Sequence, residues 1–126
     1  MELYDVVDLG GRRGLRHAAD GPPFDTERAL TDLIGDAMGE GATVIAIPAA
    51  RLGAAFFQLR SGLAGSIAQK VVNYHMTLAI IGDIAAELAA SNALRDWVRE
   101  TNRGRDVWFL PSFDELATRL AALPPG

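Results

Sequence analysis

No cysteine occurs anywhere in the 126 residues, which removes disulfides and thiolate metal sites from consideration. The opening Met1-Glu2-Leu3-Tyr4-Asp5 lacks a basic stretch followed by an apolar run, so no secretion signal is expected. Apolar runs break off well short of the ~20 residues that a membrane-spanning helix needs. Positive charge is scarce too: 12 Lys and Arg stand against 16 Asp and Glu, for a net charge of −4. Nucleic-acid binding needs a positive footprint, and this chain does not supply one. These absences lead to the expectation of a cytoplasmic protein with neither a membrane nor a nucleic-acid partner.

The motifs of common catalytic sites are missing as well. No His, Asp and Glu residues share metal-ligand spacing, no Gly-x-Ser-x-Gly forms a nucleophile elbow, and no phosphate loop ends in Gly-Lys-Ser/Thr. No catalytic residue, metal or cofactor is assigned, and the reading leans away from an enzyme.

What the chain does have is an ordinary globular composition, 49% apolar and 22% charged, at the length of one domain with one core. A single domain over residues 1–126 is expected. Residues 3–9 and 14–18 flank Gly10-Gly11 and read as a β-hairpin, which Gly21-Pro22-Pro23 ends. Asp25 or Thr26 caps a first helix, with Ala29, Leu30, Leu33, Ile34, Ala37 and Met38 on its apolar stripe and Gly39 and Gly41 beyond. Three short apolar runs, 43–47, 77–81 and 107–110, read as strands buried on both faces. Helices at 62–74 and 91–103 separate them. Leu63, Ile67 and Val71 share a face of the first, with Ala64, Ala68 and Val72 beside it, and Leu94, Trp97 and Val98 face inward on the second. Ser112 and Glu115 form a capping box that opens a last helix carrying Leu116, Leu120 and Leu123. The order β-β-α-β-α-β-α-β-α predicts an α/β fold: a single-layer, mostly parallel sheet with an N-terminal β-hairpin and helices packed on it through right-handed crossovers.

In such sheets ligands gather outside the carboxyl ends of the parallel strands. Three segments leave those ends here: 48–60, Gly82-Asp83 and Pro111-Ser112. The first enters a helix through Arg60-Ser61-Gly62, where free backbone N–H groups and the helix dipole favour an anion that Arg60 can grip with two donors. The structural alternative is that Ser61 caps the helix while Gly62 and Gly65 allow close packing on the sheet. Asp83 is a carboxylate at a strand end, and equally a cap for the turn at 84–90. Phe56-Phe57 marks a partner surface or, more economically, plugs the core beneath its loop. Trp97 and Trp108 are assigned to the core. His17 falls in the hairpin and His75 at a helix end, where the dipole accounts for it. Arg12, Arg13 and Arg16, like Arg95, Arg99, Arg103 and Arg105, read as solvated, salt-bridged faces.

Phe56-Phe57-x-Leu59-x-Ser61-Gly62-Leu63-Ala64-Gly65, then Gln69-Lys70-x-x-Asn73-Tyr74 and Leu78-Ala79-Ile80-x-Gly82-Asp83, resemble the bacterial family called domain of unknown function 4180. Ser91-x-x-Leu94-Arg95-Asp96 and Glu100-x-Asn102-Arg103-Gly104 extend the resemblance over residues 24–121. It implies a small bacterial cytosolic protein and brings no activity with it. A more distant likeness is to STAS domains, the fold of anti-sigma-factor antagonists, in which a strand leads into Asp-Ser-Ser-Gly-Leu at the start of a helix. Leu59-Arg60-Ser61-Gly62-Leu63 holds that place here, with Arg60 standing where antagonists carry the serine that takes a phosphate.

Two functions follow as expectations. One is a non-enzymatic STAS-like regulatory or protein-interaction module that uses Phe56, Phe57 and the following helix. The other is a domain that binds a small molecule or small anion, phosphate or carboxylate, through Arg60, Ser61, Gly62 and Asp83. This second reading leaves room for an enzyme, and draws Lys70, Asn73, Arg95 and Asn102 toward the site. A homodimer through an edge strand or through Phe56-Phe57 is compatible with either.

Overall fold

The computed structural model describes residues 3–124. Strands β1 (Tyr4–Leu9) and β2 (Arg12–His17) form the expected antiparallel hairpin. Strands β3 (Val44–Pro48), β4 (Thr77–Ile81) and β5 (Val107–Leu110) continue the sheet in parallel with β2, in the order β1-β2-β3-β4-β5. Each strand therefore pairs with its neighbour in sequence. The apolar runs become strands because their β-branched and aliphatic side chains are covered on both faces of the sheet.

Alternation along the strands sends those side chains into two cores. Leu15, Ile45, Ile47, Leu78, Ile80 and Phe109 face helices α1 (Glu27–Gly39), α3 (Leu63–Asn73) and α5 (Asn92–Asn102). Leu9, Val44, Ala46, Ala79 and Trp108 face α6 (Phe113–Ala121), which closes the other side with Leu116 and Leu120. Three helices on one face are what successive right-handed crossovers produce when the strand order never reverses. The last helix has no strand to return to and covers the face left bare.

The helix starts settle as capping chemistry requires. Thr26 rather than Asp25 caps α1, accepting from the Ala29 N–H at 3.1 Å; Ser91 rather than Asn92 caps α5; Ser112 Oγ accepts from the Glu115 N–H at 3.2 Å. Two stripe assignments are corrected. Met38 is 55% exposed and Val72 is 43% exposed, because each follows a fully buried residue, Ala37 or Val71, and the helical turn of one residue carries it off the face that packs on the sheet. Trp108 is fully buried and donates its indole N–H to the Gly104 carbonyl at 2.8 Å, whereas Trp97 is only half-buried and meets Phe109 edge-on.

Asn102 holds the backbone of β5. Its side-chain oxygen accepts from the Phe109 N–H at 2.7 Å, and its amide donates to the Phe109 carbonyl at 3.3 Å. One side chain thus takes both hydrogen-bonding groups of a strand residue. That occupies part of an edge that would otherwise be a template for another strand.

Candidate functional site

Residues 48–60, expected as an open loop, fold into three short helical turns: 3-10 turns at Ala49–Arg51 and Leu59–Ser61 with α2 (Ala54–Phe57) between them. They pack beside the carboxyl ends of β3 and β4. Phe56 is fully buried and anchors the segment in the first core, so it plugs the fold rather than presenting a partner surface. Phe57 stands edge-on to it, ring centroids 5.4 Å apart, and is only half-buried. Between these turns and α4 (Ala85–Ala90) lies a cleft of about 810 Å³. Leu52, Phe57 and Leu59 wall it together with small alanines, and Gln58, Arg60, Glu87 and Ser91 are its polar groups.

Of the residues nominated from sequence for one ligand site, only Arg60 lines this cleft. Ser61 donates its hydroxyl to the Ala55 carbonyl at 2.5 Å and accepts from the Leu63 N–H at 3.3 Å, so it joins α2 to the start of α3. Gly62 has φ +82, with nothing within 4 Å of where a Cβ would stand, and Gly65 is equally open. Close packing explains neither. Gly62 is required for its left-handed backbone, which lets the chain turn from the 3-10 segment into α3. Asp83 accepts from the Ala85 N–H at 2.8 Å and opens α4, outside the cleft lining. The helical polar residues are held in structural contacts: Arg95 donates to the Leu88 carbonyl, Lys70 reaches Glu27 and Ser66, Asn73 accepts from Gln69, and Asn102 holds β5.

Behind the cleft wall lies a feature that sequence reasoning missed. Arg51 is 2% exposed and has no carboxylate partner among the described residues. Its guanidinium donates to the carbonyls of Ala18 at 2.7 Å, Pro22 at 3.0 Å and Asp20 at 3.4 Å, and lies 4.3 Å from the centre of the Phe24 ring. The segment after the hairpin is thereby wrapped around one buried cation. Gly21 permits the wrap, since a Cβ there would stand 2.7 Å from Cζ of Arg51. His17 sits beside it, 5% exposed, its ring packed between Tyr4 and Phe24. Neither ring nitrogen has a hydrogen-bond partner among the described residues. Burial, and then the neighbouring Arg51 charge, push the His17 pKa down from 6.5 to about 4. The ring is neutral at physiological pH, as a buried imidazole beside a fixed cation must be.

A second, smaller cavity of about 210 Å³ opens at the same end of the sheet but on the α6 side. Asp5, Arg16, Ala46, Ile81 and Phe113 line it. Arg16 lies 4.1 Å over the Phe113 ring. Nothing in the spacing of Asp5, Arg16 and Phe113 betrays this grouping. It needs the hairpin register, which pairs Asp5 with Arg16, and the return of α6 across the sheet.

Among the described residues no group of His, Cys, Asp and Glu is placed to hold a metal ion, and no helix is long and apolar enough to cross a membrane. Compared with known proteins, the chain finds no match among curated sequences or solved structures. A family model does match, over residues 10–120, nearly the whole length. The chain therefore belongs to the family described as Domain of unknown function (DUF4180).

Proposed function

We propose that this protein is a non-enzymatic regulatory module of STAS-like type that works by binding, with the 810 Å³ cleft as its working surface. The occupant is an apolar segment of a partner protein that also carries an acidic and a basic group. The observation that carries this reading is the character of the lining: an aromatic anchor, Phe57, among leucines and alanines, with Arg60 and Glu87 as groups of opposite charge. Buried aromatic and aliphatic anchors with a polar rim are how protein interfaces concentrate their affinity. The STAS-like part rests on element order and on Ser61-Gly62-Leu63 at the opening of a helix, as in the antagonists.

The test begins with capture of a partner from a cognate lysate, followed by titration of that partner, purified, against four versions of the chain. Phe57→Ala, the cleft-filling Ala90→Trp and the charge reversal Arg60→Glu should each weaken binding at least tenfold. Ser61→Asp, which removes the hydroxyl held by Ala55, should also alter it. Equal binding by all variants sinks the proposal.

The volume favours a second reading, since clefts of ~300–1,000 Å³ with apolar walls and few polar groups suit small molecules. Here an amphipathic anion would place its charge against Arg60. A thermal-shift panel of phosphates and carboxylates, repeated on Arg60→Ala, distinguishes the two. A ligand at 100 times its Kd adds about 2.7 kcal/mol of stability, which must vanish in the variant.

A further inference from the structure

The smaller cavity combines features that do not match an ordinary charged surface. Asp5 and Arg16 are direct partners across the β1–β2 ladder, so their Cβ atoms stand about 5 Å apart on one face, the usual arrangement for an ion pair. Yet the described residues show no ion pair between them. Arg16 instead turns onto the Phe113 ring at 4.1 Å, and both charged residues line the same 210 Å³ cavity. The rest of the wall is apolar, with Ala46 and Ile81 from the strands and Phe113 from α6. His17 also borders the cavity, but its ring turns to the opposite face against Tyr4 and Phe24 and is not part of the recognition surface. The location, outside the carboxyl ends of β3 and β4, is where open α/β sheets place their ligands.

We propose that this cavity binds a small zwitterion, a free α-amino acid with a short aliphatic side chain. Its carboxylate meets the guanidinium of Arg16, its ammonium meets Asp5, and its side chain lies against Ala46, Ile81 and Phe113. Arg is suited to the first task because its planar fork accepts a carboxylate on two donors, and stacking on Phe113 holds it ready. Size limits the choice. The cavity holds the volume of about seven waters, which matches the six to eight or so non-hydrogen atoms of alanine through valine. The site is independent of the larger cleft and of the function proposed for it.

The test uses the full chain and three probe sets at equal concentration: alanine and valine, propionate, and propylamine. The amino acids should raise the melting temperature and give saturable heats in calorimetry, while the two singly charged probes bind at least tenfold more weakly. Arg16→Gln and Asp5→Asn should each weaken alanine binding at least tenfold. Both side chains are at the surface, and unchanged circular dichroism would show that the variants fold. Propionate binding as tightly as alanine would show a site that reads the anion alone and would overturn the proposal. So would amino-acid binding that survives both substitutions, or no binding by any probe.

Discussion

His17 and Arg51 illustrate how a residue's chemistry is set by neighbours that the sequence places far away. A histidine in a hairpin and an arginine after a strand are unremarkable as letters, and no spacing links them. Folding puts the ring against a buried guanidinium that is already satisfied by three backbone carbonyls. The consequence for stability has a definite sign. A base whose folded pKa is about 4 against 6.5 when unfolded leaves the unfolded chain binding the extra proton between those values. Its contribution is fully present above pH 6.5 and is lost as pH falls toward 4, amounting to about 3 kcal/mol. Asp36 works in the opposite sense, because burial, then Asp32 and Glu40, raise its pKa. Urea denaturation from pH 7 to 4 should therefore show a slope that His17→Phe largely removes; equal slopes in the two proteins would refute this account. Gly62 was legible as important for the wrong reason. Its need is backbone, not space, so Gly62→Ala should cost about 1–2 kcal/mol, read from denaturation midpoints.

At the scale of elements the sequence was most readable where local chemistry and burial agree. The strands at 44–48, 77–81 and 107–110 and the capped helices fall within a residue or two of their expected places. Residues 49–61 were not readable as structure, since helical turns of three and four residues lack the length to show a period. They exist because Phe56 is drawn into the core and Ser61 ties the turns together. This is also why the cleft could not be foreseen and why Arg60, Ser61 and Asp83 fall to different tasks. Helix α3 yields a sharper expectation. Gly65 lies within its length, exposed, with nothing near its Cα hydrogens. Gly65→Ala should stabilise the protein by about 0.5–1 kcal/mol, the opposite sign to the same change at Gly62. Thermal denaturation of the two variants side by side checks both signs, and a destabilised Gly65→Ala would show that this face is covered by something.

For the molecule as a whole, the decisive fact is a sheet covered on one face by three helices and on the other by α6. The alternation that buries Trp108 on one side and Phe109 on the other was visible as a continuous apolar run, but which helix covers which face was not. That depends on strand order, which no single strand encodes. Leu120→Ala should cost about 2–5 kcal/mol, because the leucine is fully buried in the same cluster as Trp108 and Leu9. Trp108 fluorescence should report the loss directly. Strand order also bears on how quickly and in what sequence the fold assembles. With every strand paired to its neighbour along the chain, each step from β1 to β5 closes only a hairpin or one crossover, so the cost of loop closure is met in increments. The docking of α6 is the exception. Arg12 donates to the Leu120 and Pro124 carbonyls, and Gly10 lies against Ala121, contacts that join the two ends of the chain. They close the longest loop among the described residues for a single nine-residue helix. Substitutions in α6 should accordingly speed unfolding while leaving the folding rate nearly unchanged, marking it as the last piece to arrive and the first to leave.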